Sequence, residues 1–108
     1  MGNIPDSSQR IARNTSYPTV FFAETVTVGT SITQVYNVNK SGWITIKAHT
    51  SNSAGVTIGT SAITASDGYV LAAGEEVTIE HNKLSDIYVI TGDQGDHYIH
   101  IIGSYQDN

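Results

Sequence analysis

Cysteine is absent from the 108-residue chain, which excludes disulfides, thiolate nucleophiles and thiolate metal cages together. Basic residues are scarce: five Lys and Arg stand against ten Asp and Glu, for a formal net charge of −5. So few and such dispersed cations argue against nucleic acid as a partner, because phosphate contacts need clustered Lys and Arg. No apolar run approaches the roughly 20 residues of a membrane-spanning helix. The polar first residues lack the pattern of a secretory signal, so the expected site of synthesis and assembly is the cytosol. Helical periodicity is also missing. No stretch of about 10–15 residues repeats at 3.6, which excludes strands alternating with helices in a parallel sheet.

What remains is a Thr-, Ser- and Gly-rich chain of short alternating segments. The plainest stretch is 55–88, where the bursts Val56–Ile58, Tyr69–Leu71 and Val77–Ile79 lead into 87–90, with glycine or Asx clusters between them. They read as a meander of short strands. Across the chain the expected strands are 19–28, 31–38, 43–50, 55–59, 69–71, 76–80, 87–91 and 97–103. Turn signals recur at the spacing of a sandwich or barrel. The expected fold is all-β: an antiparallel, jelly-roll-like β-sandwich of about eight short strands spanning 19–108. Strand 31–38 is expected to pair with 19–28 across Gly29-Thr30. The loop Gly92-Asp93-Gln94-Gly95-Asp96 is expected to close a hairpin between the last two strands.

Residues 1–18 differ. They carry both arginines and both prolines, and Arg10 and Arg13 against Asp6 leave one net positive charge, so the remainder holds −6. They read as an N-terminal arm with a single helical turn from Asp6 to Ala12, capped by Asp6 and Gln9. A turn this short is marginal alone, so the arm is expected to lie against something.

Strand parity separates ordinary strands from unusual ones. In 43–50, Ile44, Ile46 and Ala48 share one face while Trp43, Thr45, Lys47 and His49 share the other. In 76–80, Val77 and Ile79 point in and Glu76, Thr78 and Glu80 point out. The last two strands are apolar on both faces: Ile87 and Val89 oppose Tyr88 and Ile90, and Ile99 and Ile101 oppose Tyr98 and Ile102. The second face, Tyr88, Ile90, Tyr98 and Ile102, is expected to be covered, either by the N-terminal arm or by another subunit.

Catalytic chemistry finds little footing. His97 and His100 are three apart on a strand, so their rings point to opposite faces and cannot share an ion; both are expected at the surface. Asp93 and Asp96 sit in a loop without the dense carboxylates of a calcium site. Glu75, Glu76 and Glu80 do not form the paired acids of a glycosidase, and no Gly-x-Ser-x-Gly elbow exists. The sequons at Asn14 and Asn39 read as incidental. No metal, cofactor or enzymatic activity is expected. Trp43, Lys47 and His49 form a candidate glycan platform; the plainer alternative has Trp43 closing the end of the core.

A series of residues resembles a pattern in small structural proteins of tailed bacteriophages: Val56, Ile58, Gly59, Gly68, Leu71, Gly74, Glu75, Ile87, Tyr88, Val89, Gly95 and Ile101. Within that group the chain looks most like capsid decoration proteins, the cement or staple proteins that sit on the major capsid protein lattice. The resemblance implies a jelly roll, a structural role on the virion surface, and a homo-oligomer, dimer or trimer, assembled in the host cytoplasm. It implies that arm residues Ile4, Arg10, Ile11, Arg13 and Tyr17, continued by Phe21 and Phe22, dock on capsid or on a sister subunit. The alternative is a carbohydrate- or receptor-binding module of a tail or fibre.

Overall fold

The computed structural model describes residues 19–107. Eight strands make up the fold: β1 (Thr19–Val28), β2 (Thr33–Gln34), β3 (Gly42–Ala48), β4 (Val56–Gly59), β5 (Tyr69–Leu71), β6 (Glu76–His81), β7 (Tyr88–Thr91) and β8 (His97–Gln106). One 3-10 turn, Leu84–Asp86, precedes β7. The strands form two four-stranded sheets. Sheet A has the order β1-β8-β3-β6 and sheet B the order β2-β7-β4-β5, and every pairing is antiparallel.

That order is a rolled-up long hairpin. The chain pairs β1 with β8, β2 with β7, β3 with β6 and β4 with β5, then joins the halves through β3–β8 and β4–β7. The expected jelly-roll sandwich is therefore present.

The core follows from alternation. Ile44, Ile46, Ala48, Ile99 and Ile101 point inward from sheet A, and Val56, Ile58, Leu71 and Val89 meet them from sheet B. Glu24 occupies an inward position on edge strand β1 yet stays exposed. A charge turned inward on an edge strand discourages pairing with other chains.

Three expected neighbours are corrected. Residues 31–38 do not pair with β1: only Thr33–Gln34 is strand, and it lies in sheet B beside β7. The loop 92–96 is not a hairpin, because β7 belongs to sheet B and β8 to sheet A, so the loop crosses between layers. Nor is 55–88 a meander, since β4 and β5 pair in sheet B while β6 returns to β3 in sheet A. Local turn chemistry identifies the bends; which strand lies beside which is decided by non-local packing.

The doubly apolar β7 finds its cover within the chain. Residues 60–68, between β4 and β5, fold back over the outer face of sheet B, where Thr57, Ile63 and Ile90 are buried apart from the main core. The Thr57 hydroxyl donates to the Ala65 carbonyl at 2.8 Å. A Cβ at Gly59 would stand 2.1 Å from the Ile63 side chain, so only glycine admits this close return.

Candidate functional site

Among the described residues sheet A has no such cover, and its outer face gathers residues from distant parts of the chain. Register builds that face in rows. Phe21, Ser104, Trp43 and Glu80 form one row, and Ala23, Ile102, Thr45 and Thr78 the next. Thr25, His100, Lys47 and Glu76 form the third, and Thr27 and Tyr98 the fourth. His49, just past β3, donates its backbone N–H to the Tyr98 carbonyl at 3.0 Å and so joins the fourth row.

The face is graded. At one end Phe21 is 67% exposed, Ile102 41% and Trp43 36%. With strands about 4.8 Å apart, Phe21 and Trp43 flank Ser104 at roughly 10 Å. At the other end stand Lys47, His49 and His100. Between them the Thr45 and Thr78 hydroxyls are hydrogen-bonded at 2.7 Å. Large apolar groups held out from a sheet beside polar ones are the composition of an interaction surface.

Three sequence-derived groups thus converge: Phe21 of the arm set, Tyr98 and Ile102 of the partner set, and the whole glycan set of Trp43, Lys47 and His49. Others separate from them. Phe22 is 6% exposed; it turns into the core and stacks on Tyr36, with ring centroids 3.9 Å apart and planes 9° apart. Adjacent strand residues face opposite ways, so Phe21 and Phe22 cannot serve one surface. Tyr88 and Ile90 lie in sheet B, and Ile90 is buried. Trp43 does not close the core end, because its parity places it outside. Ile4, Arg10, Ile11, Arg13, Tyr17 and the expected turn at 6–12 lie outside the described residues.

His97 is not at the surface: it is fully buried, and His100 is half-buried on the opposite face. His97 joins Ser53 and Asp93, a trio that no spacing in the sequence announces. Its Nε2 is 3.2 Å from Ser53 Oγ and 3.7 Å from Asp93 Oδ2, while Nδ1 lies 3.3 Å from the Gly95 carbonyl. Ser53 also donates to Asp93 at 3.1 Å. The residue types are those of a hydrolase triad, but the wiring is not. A triad places the acid on the ring nitrogen opposite the serine; here both approach Nε2. The trio instead ties loop 92–96 to residues 49–53, aided by Asn52, whose side chain bonds the backbone N–H and C=O of Tyr98.

An open cleft of about 550 Å³ lies where β6 of sheet A faces β4 and β7 of sheet B, lined by Ile58, Ile79, Ile87, Tyr88, His81 and Asp86. His81 Nε2 and Asp86 Oδ2 are 3.1 Å apart at the protein surface. Among the described residues no three His, Cys, Asp or Glu side chains group as a metal cage. Among the described residues one ionisable group stands out: burial holds the Tyr36 phenol above its usual range, with Tyr105 and Glu24 adding to the effect.

No family model matches the chain, and no curated protein does. Among solved structures the chain is similar to a protein of Bacillus endospore appendages, described as a family of disulfide-linked pili. The identity is 13% and the TM-score 0.55, over 84% of this chain and 88% of that one. At that identity the likeness shows the fold alone.

Proposed function

We propose that this chain is a non-enzymatic assembly protein, a decoration protein that binds a bacteriophage capsid lattice through the outer face of sheet A. The observation that carries the reading is the cluster on sheet A. Phe21, Trp43 and Ile102 are held out together there, while residues 60–68 cover the middle of sheet B and leave Tyr69 and Val70 exposed on its edge strand β5. Burying such a patch on a partner contributes about 25 cal/mol per Å² of apolar surface. Repetition over a lattice multiplies a modest single contact. The resemblance to phage structural proteins names the lattice, and a dimer or trimer suits that setting. The absence of cysteine argues against a disulfide-linked polymer like that named for the Bacillus protein.

Cosedimentation of the tag-free chain with capsids stripped of it tests the reading. Wild type is expected to pellet with capsids, and the Phe21→Ser, Ile102→Ser double variant to stay in solution with an unchanged melting curve. Equal pelleting of both proteins, or of neither, rejects the proposal.

A second reading is favoured by one observation: exposed Trp43 shares its face with Lys47 and His49, an aromatic with hydrogen-bonding neighbours. That arrangement supports a glycan-binding module of a tail or fibre. On this reading Trp43→Ala removes a glycan-array signal without unfolding the domain, and an empty array for wild type counts against it.

A further inference from the structure

His100 and His97 point to opposite faces of β8, and the fold gives His100 a different imidazole. His49, 51 positions away, brings Nδ1 to 2.8 Å from His100 Nε2. The other nitrogen of His100 is already committed: Nδ1 lies 3.1 Å from Thr25 Oγ1. The residues come from three places, β1, β8 and the end of β3, and the pair lies on the open face of sheet A.

We propose that His49 and His100 form a binding site for a divalent transition-metal ion, zinc being the probe of choice. Three features point this way. First, two ring nitrogens converge on one point from separate segments of a hydrogen-bonded sheet, so the backbone preorganises them. Second, His100 has the outer partner that metal-ligating histidines characteristically have. In the tautomer where Thr25 Oγ1 accepts from Nδ1–H, Nε2 presents its lone pair toward His49.

Third, the ring separation fits. Zinc binds imidazole nitrogen at about 2.0–2.1 Å in tetrahedral geometry. Adding about 1.2 Å from nitrogen to ring centre, two tetrahedral imidazoles have centroids roughly 5.2 Å apart and nitrogens roughly 3.3 Å apart. The centroids of His49 and His100 are 5.0 Å apart. The rings already stand at the required distance. Metal binding then turns them in place, opening the nitrogens from 2.8 Å, and replaces the N–H···N hydrogen bond with two metal bonds. His49 carries its proton on Nε2 in the loaded form, so neutral imidazoles remain neutral.

Among the described residues no third His, Cys, Asp or Glu completes the set. The remaining coordination positions face solvent and take water, or a donor from whatever molecule docks on this face. Lys47, the cross-strand neighbour of His100, is the nearby opposing charge. Glu76 lies beyond it, on the far side of Lys47.

Zinc chloride titration of the tag-free chain, followed by NMR of the histidine ring nitrogens, tests the site. The His49 and His100 signals are expected to shift together and saturably, with those of His81 and buried His97 unmoved. By calorimetry, His49→Gln and His100→Gln should each weaken binding at least tenfold with the circular dichroism spectrum retained. Thr25→Val, which preserves shape and removes the ring's outer partner, should cost about tenfold. Rings of His49 and His100 that stay unmoved, a shift confined to His81, or undiminished binding by a His49→Gln, His100→Gln double variant overturns the proposal. Because the wild-type ring signals decide the matter directly, an unfolded variant would leave the test intact.

Discussion

Phe21 and Phe22 are neighbours in sequence and opposites in consequence. Truncating Phe22 to Ala removes a buried ring and leaves a cavity between β1 and Tyr36, at a cost of about 3–5 kcal/mol for a buried Phe→Ala change. That range includes the stack on Tyr36 at 3.9 Å, since such pairs contribute about 0.5–1.5 kcal/mol beyond area burial. Total stability for a single domain is about 5–15 kcal/mol, so the variant is expected to lose about a fifth of it or more. At about 4–8 °C per kcal/mol for a domain of this size, the melting temperature falls by at least about 12 °C. Phe21→Ala, at 67% exposure, should change stability by no more than about 0.5 kcal/mol and should weaken capsid pelleting instead. Urea unfolding of wild type and both variants, with slopes compared to confirm a common unfolded state, provides the measurement. A Phe22→Ala cost under about 1 kcal/mol, or equal costs for the two variants, would refute the placement of these rings.

Two further outcomes follow from the same region. A Cβ at Gly103 would lie 2.3 Å from the Trp43 carbonyl oxygen and 2.6 Å from the tip of Phe22. Gly103→Ala is therefore expected to cost about 2–3 kcal/mol through overpacking, read by urea unfolding; a neutral result contradicts the close β3–β8 approach. The Tyr36 phenol, raised chiefly by burial, holds its proton more tightly in the folded state than unfolded. Its contribution to stability is thus full below pH of about 10, the ordinary tyrosine value, and is lost as pH climbs through the raised folded value. Tyr36→Phe should remove this alkaline phase from both the ultraviolet titration and the unfolding curve.

Much of the fold was legible because alternation reports a local property. Ile44, Ile46 and Ala48 against Trp43, Thr45 and Lys47 could be sorted by parity alone, and the strands emerged near their observed bounds except at 31–38, where only Thr33–Gln34 is strand. Pairing was not legible. Nothing near Gly92–Asp96 distinguishes a hairpin from a crossing between layers, because both need the same turn residues. The burial of Ile90 depends on a loop some 25 residues earlier, held by Gly59 and Thr57. Site residues fared similarly. Trp43, Lys47 and His49 were recognisable as one face because they share a segment. The contacts of His100 with His49, and of His97 with Ser53, span 51 and 44 positions, distances at which spacing carries no signal. Phe22 was assigned to a partner surface because two adjacent aromatics look alike until the strand's facing is known.

The place of β8 in sheet A has a consequence for how the chain comes into being. This strand lies between β1 and β3, yet it is the last of the eight to leave a ribosome. Until residues 97–106 emerge, β1 has no strand beside it and β3 has only β6. Phe22 and the inner isoleucines of β3 must wait without the strand that lies between them. Sheet B can form its β4–β5–β7 ladder earlier. Birth of this domain is therefore strongly end-weighted: non-local pairing of this kind is slow and leaves strand edges open meanwhile. A chain interrupted before β8 would lack one central strand and, with it, two of the three seams of its larger sheet.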